Sequence, residues 1–437
     1  MSELERVIRE HAEGSFASFH MPGHKGRRPD GVLPYELYGF DVTELPFSDE
    51  LFEADGAIAQ LEADASRLFG SGATLISPFG ATSCIQVMTA IAAAKGKLLI
   101  PRNSHYSVFN AVGLCGAEAV LLTPEPSGAT PAGVVSPEAA EAAFKADGGI
   151  SALFLTSVDY YGYIADVAAF AEICRKHNKL LLVDNSHGAH LRFVEGFRHP
   201  LECGADIVTD SIHKTLPAMT GSALLHFADP ALAAEGKKLM KRFCSSSPSY
   251  PIMLSIAAAL EWAKDEGEKA YNTLAERLGR LKKDIEDYGY SVTRGEPCRL
   301  YVTGGSTGLS GAEISSRLAR FGCVPEFADE SGALLMFSPM NTEEELSRLT
   351  GVFIGAERKN AVLPKPARRD IIPRRAMSVA EAFRAECECV PAAESAGRIA
   401  AECVGVYPPG LPAVITGEYI ETLPEGLNMK RILVVKE

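Results

Sequence analysis

Leu180-Leu181-Leu182-Val183-Asp184 is an apolar run of four that ends on a carboxylate, and Lys214 follows thirty positions after Asp184, just beyond a second short run, Ile207 to Asp210. A strand covered on both faces reads as an unbroken apolar run, whereas a half-exposed strand alternates. Similar runs stand at Lys97 to Ile100, Ala119 to Leu122, Ala152 to Thr156 and Ala223 to His226. Between them Ser83 to Ala94, Ser107 to Leu114, Pro137 to Lys145 and Val167 to Asn178 place apolar residues at helical spacing. Strands alternating with helices predict an α/β domain around a mainly parallel sheet with helices on both faces.

Beyond Pro251 the texture changes. Ile252 to Ala263 and Glu268 to Tyr288 read as long helices, and shorter pieces begin at Val292. The expected division is an N-terminal arm over 1–45, a large domain over 46–290 and a smaller α+β domain over 291–437. Leu363 to Arg375, with Pro364, Pro366 and Pro373 among five basic residues, reads as an extended crossing.

The chain has 437 residues, 46% hydrophobic and 23% charged, enough for a large core and unlike a disordered chain. A net charge of −13 argues against broad attraction to nucleic acid or to anionic lipid. The first residues lack an apolar signal core and no run is long enough to span a bilayer, so a cytoplasmic protein is expected. Ten scattered cysteines include no CxxC pair and read as reduced thiols.

In open α/β sheets ligands sit outside the carboxyl ends of the strands, so Asp184 and Lys214 would share one crevice. A lysine and an aspartate there suit pyridoxal phosphate: the amine forms a Schiff base and the carboxylate keeps the pyridine nitrogen protonated. A structural ion pair is the plain alternative. Gly80-Ala81-Thr82-Ser83 opens a helix where small residues and free N–H groups suit a phosphate, although an ordinary helix cap has the same composition. Ser211 and His213 flank the lysine, and His105 follows the strand at Lys97, where it could stack on a cofactor ring or simply occupy a turn.

Other signals carry less. His20 and His24 are four apart, but Pro22 and Gly23 between them oppose a zinc-binding helix. Gly304, Gly305 and Gly308 make no dinucleotide fingerprint. His187 and His190, so close after Asp184, suit ring contact or a local turn better than a metal, and no metal is expected.

Taken together the chain resembles the ornithine/lysine/arginine decarboxylase family of fold-type I, pyridoxal-phosphate-dependent enzymes, in its short form without the N-terminal wing domain. The resemblance rests on His20 to Gly26, Asp41 to Pro46 with Asp49, Arg102 to His105, Asp184 to His190, Ser211 to Pro217, Ser246 to Tyr250, Glu326 to Asp329 and Tyr407 to Gly410. It implies an aspartate-aminotransferase-like large domain, with Lys214 as the Schiff-base lysine, Asp184 as the pyridine partner and His105 as the stacking ring. Gly80, Ala81, Thr82, Ser83, His187, Ser211 and His213 would complete the cofactor site, with His213 or Lys214 returning a proton to the substrate.

The resemblance also implies a homodimer in which Ser246 and Ser247 approach the partner's cofactor, and it assigns Glu326 and Asp329 to the distal cation of a basic amino acid. The implied reaction is decarboxylation of lysine, arginine or ornithine to the amine. Asn185-Ser186, where the family commonly has Glu-Ala, and Gly221, where a glutamine is usual, are departures. They leave open another fold-type I reaction, such as an aminotransferase or lyase, or a silent cofactor-binding homologue.

Overall fold

The structure is a computed structural model that describes residues 17–19, 23, 44, 48–293, 295–355 and 372–436. Most of the expected N-terminal arm, including His20 and His24, and residues 363–371 of the proline-rich crossing lie outside the described residues.

Seven strands form the central sheet: β1 (Ala73–Ser77), β2 (Lys97–Pro101), β3 (Ala119–Leu122), β4 (Ile150–Thr156), β5 (Leu180–Asp184), β6 (Ile207–Asp210) and β7 (Ala223–Phe227). Their order is β1-β7-β6-β5-β4-β2-β3, with β7 antiparallel to both neighbours and the other pairs parallel. Helices α1 (Ala81–Ala93), α2 (Tyr106–Cys115) and α3 (Val167–Lys176) lie among the connections, close to their expected spans. β1 escaped the sequence reading because Ala73-Thr74-Leu75-Ile76-Ser77 mixes polar and apolar residues, and its partner β7 is supplied from about 150 positions away.

The unbroken apolar runs have a direct structural cause. Successive side chains of a strand point to opposite faces: Leu182 joins the larger core with Met88 and Ile207, while Leu181 and Val183 join a second core with Phe170 and Val208. Because β5 is covered on both sides, its polar residue stands at the end, at Asp184.

Helices α4 (Tyr250–Trp262) and α5 (Glu268–Asp287) lead into an antiparallel sheet of β8 (Ser291–Val292), β9 (Arg299–Thr303), β10 (Phe327–Ala328) and β11 (Gly332–Met336), in the order β8-β9-β11-β10. Leu300, Val302 and Leu335 of that sheet join the larger core. Residues from about 375 onward form a further module with α6 (Val379–Arg384), the hairpin of β12 (Cys387–Pro391) and β13 (Arg431–Val435), and its own small core of Ala400, Val404, Val414, Ile420, Ile432 and Val434. Among the described residues no helix is long and apolar enough to cross a membrane.

Candidate active site

The carboxyl ends of β2, β4, β5 and β6 open on the same edge of the sheet, and the chain places a chemically distinctive residue after each. Lys214 lies in a one-turn helix, Ile212–Thr215, directly after β6. Its Nζ is 3.0 Å from Nε2 of His187, on the turn after β5. Burial pushes the amine down to about 8, against the pull of the Asp184 and Glu326 charges and with the help of Arg299. Burial, then Lys214 and Arg299, hold His187 well below its ordinary value, so its neutral ring accepts at Nε2 and leaves Nδ1 buried without a partner.

Asp184 is buried at the end of β5, and its Oδ1 accepts from the Ser186 backbone N–H at 3.0 Å and the Ser186 hydroxyl at 2.5 Å. The next residue, Asn185, donates through Nδ2 to Oδ1 of Asp210 at 2.6 Å. Oδ2 of Asp210 lies 3.0 Å from Nε2 of His199 and 3.1 Å from Nε2 of His226. Both departures at 185–186 therefore have structural work: Ser186 fixes the Asp184 carboxylate, and Asn185 ties the turn after β5 to the end of β6.

His105 caps α2 and accepts at Nδ1 from the Ser107 N–H at 3.3 Å, with the Ser107 hydroxyl at 2.7 Å. Burial, then the Lys214 charge, push it down to about 4 against the pull of Asp184. At neutral pH the ring is uncharged, which lets it lie against a pyridinium without repulsion. His213 directs Nδ1–H to the Ser222 carbonyl at 3.1 Å and lies 3.2 Å from the Ser211 hydroxyl. The Gly80 N–H donates to the Gly221 carbonyl at 2.7 Å, which brings the start of α1 beside the same segment. Gly80 has φ +79°, and a Cβ there would meet nothing within 4 Å, so the helix start is open toward the crevice. The Ser83 hydroxyl turns inward, to Ser77 Oγ and the Gly80 carbonyl, both at 2.8 Å, so Ala81 and Thr82 rather than Ser83 border that opening.

The acidic pair divides. Glu326 Oε1 accepts from the Tyr160 hydroxyl at 3.0 Å, and its charge is felt at Lys214. Asp329 Oδ1 accepts from the Tyr301 hydroxyl at 2.7 Å and from the N–H groups of Ser331 and Gly332, the bonding of a turn. Ser246 and Ser247 are exposed. His190 is buried and pairs with Glu296 at 2.8 Å.

Tyr160 and Arg299 are additions the sequence reading lacked. Tyr160 meets the His187 ring edge to face, with centroids 5.5 Å apart, and burial and Glu326 hold its hydroxyl well above the ordinary value. Its position just beyond β4 was the available signal. Arg299, fully buried on β9, donates to the carbonyls of Asp159, Tyr160 and His187 at 2.8, 3.1 and 3.4 Å. No local pattern distinguished it, because those acceptors come from loops more than 100 positions away.

The residues fit a phosphorylated pyridine aldehyde: an amine of lowered pKa, a buried carboxylate, a neutral ring and an open helix start at one sheet edge.

Residues 3–297 match the family model for the Orn/Lys/Arg decarboxylase major domain, and residues 359–428 match the model for its C-terminal domain. The chain is 32% identical to the "Uncharacterized protein YaaO" of Bacillus subtilis (strain 168), over 99% of this chain and 94% of that one. It is 27% identical to an arginine decarboxylase of the same organism, over 94% and 90% of the two chains. Among solved structures, lysine decarboxylase A from Pseudomonas aeruginosa superposes with a TM-score of 0.76 at 18% identity, covering 91% of this chain and 74% of the other.

Proposed function

We propose a substrate class and a division of labour for this chain, which belongs to the Orn/Lys/Arg decarboxylase family and is a pyridoxal-phosphate-dependent amino-acid decarboxylase. The substrate is a basic L-amino acid, lysine, arginine or ornithine, and the products are its amine and carbon dioxide. The observation that carries this reading is the Glu326 carboxylate held by Tyr160, whose ring meets His187, the hydrogen-bond partner of Lys214. A second fixed negative charge in an enclosed crevice favours a substrate with a second positive one.

When bound, pyridoxal phosphate supplies the carbon that holds the substrate amine and the ring that accepts the electrons of the broken Cα–carboxylate bond. Lys214 is the anchoring amine. Asp184, held by Ser186, would keep the pyridine nitrogen protonated, and the neutral His105 ring would pack against the bound cofactor. The start of α1, with Gly80, Ala81 and Thr82, and the Ser211 and His213 side chains hold the phosphate. Glu326 would receive the distal cation and so orient the substrate, while Tyr160 and Tyr161 would limit the entry of water. Lys214, released and bonded to His187 Nε2, returns a proton to Cα; His213 is the second candidate.

We also propose a cytoplasmic homodimer, with the exposed Ser246 and Ser247 reaching the partner's site.

The test is incubation of the cofactor-loaded protein with lysine, arginine and ornithine in turn, with products read by mass spectrometry alongside carbon dioxide release. Cadaverine, agmatine or putrescine supports the reading and names the substrate. A keto acid or aldehyde, or no product from a fully loaded protein, overturns it.

A further inference from the structure

The module that begins near residue 375 has its own core, and besides packing α6 on α2 it meets the loop carrying His105. Gly410 has φ +76°, and a Cβ there would lie 2.8 Å from both Cδ2 and Nε2 of His105 and 3.1 Å from Cδ1 of Tyr106. The Gly410 carbonyl accepts from the Tyr106 N–H at 2.9 Å. No side chain fits at this position: the backbone is left-handed and the space is already filled by the imidazole edge.

The imidazole is thus held on several sides. Ser107 fixes the Nδ1 edge, Gly410 abuts the opposite edge, and Tyr106 leans on the ring with centroids 4.2 Å apart and planes 36° apart. The loop before it is tied to the same module. Arg102 makes a bidentate pair with Glu418, whose side chain is 2% exposed, with the Nη2 to Oε2 bond at 2.9 Å. Glu418 Oε2 also accepts from the Ile415 N–H at 2.9 Å, so the module presents this carboxylate in a fixed direction. Leu411, next to Gly410, packs on the Tyr160, Tyr161 and Tyr301 cluster.

We infer that the C-terminal module is a positioning element of the active site, with Gly410 setting the His105 ring and Glu418 fixing its loop through Arg102. The inference rests on the reading above that His105 lies against the cofactor. A ring that can tilt stacks poorly on a planar partner, whereas one confined at both edges is aligned before the cofactor arrives. On this inference Gly410 and Glu418 act through the imidazole and its loop.

The experiment is a double-mutant cycle in the full-length protein with Gly410→Ala, His105→Ala and the two combined. It reads the pyridoxal phosphate dissociation constant and the visible circular dichroism of the bound cofactor, with apo-protein melting as a control. Gly410→Ala is expected to weaken cofactor binding about tenfold and to change the visible dichroism in the His105 background, but to shift binding by less than about twofold once His105 is alanine. Equal losses in both backgrounds overturn the inference, since they mean that Gly410 acts on the fold alone. If Gly410→Ala does not fold, Glu418→Gln, which keeps size and removes the charge, runs the same cycle, and additive losses again overturn it. If His105→Ala alone leaves affinity and dichroism unchanged, the stacking reading fails, and this inference with it.

Discussion

A lysine whose amine is pushed down to about 8 is still mostly protonated at pH 7, and its neutral, nucleophilic fraction reaches one half near pH 8. Capture of pyridoxal phosphate by the apo-protein is therefore expected to quicken about tenfold per pH unit below that point and to level off above it, which stopped-flow absorbance would follow. A flat profile would mean the amine is already free. Asp184→Asn removes the charge proposed to hold the pyridine proton; turnover should fall at least about a hundredfold with the fold intact and cofactor still bound, as activity and far-ultraviolet dichroism would report. Tyr160→Phe takes away the hydroxyl bonded to Glu326. The expected result is a KM for the basic substrate raised about tenfold with a smaller change in kcat, since one bond to a charged group contributes roughly 1.5–3 kcal/mol.

At the scale of elements, the ends of β5 and β6 are joined by a buried polar knot. Asp210, with no exposed side-chain surface, takes Asn185 on one oxygen and His199 and His226 on the other. Burial opposes its charge, but the two imidazoles and their bonds outweigh that and hold its carboxyl below the usual range. A carboxylate depressed in the folded state contributes stability that is present above the unfolded value, about 4, and is lost as pH falls below it. Acid unfolding of the protein should show this loss, and Asp210→Asn should lower stability by about 2–3 kcal/mol at pH 7 while flattening the acid limb, measured by urea titration at several pH values. The knot gives Asn185 its place: its amide donates to Asp210, which a carboxylate at 185 would oppose. Strands buried on both faces were legible because their composition follows from their environment. The mixed composition of β1 concealed it, since pairing with β7 decided its state.

For the whole molecule, the proposed dimer makes Ser246 and Ser247 part of a neighbouring site, so sedimentation of the loaded protein should give twice the mass of one chain. A stable monomer with full activity would remove those two residues from the site. Six of the seven strands of the sheet with the helices between them, its burial on both faces, and the pair of Asp184 and Lys214 at strand ends were determined by the sequence itself. Burial on two faces demands apolar runs, and an open parallel sheet leaves its chemistry at the carboxyl ends. Only the tertiary structure decided which acidic residue faces the crevice, giving Glu326 to Tyr160 and Asp329 to the Tyr301 turn. It alone set Arg299 beneath the loops after β4 and β5, and pressed Gly410 on His105 from 305 positions away. The reason is common to all three: local composition records how buried a residue is, but a contact between distant segments depends on how separate elements dock, and no spacing along the chain encodes that.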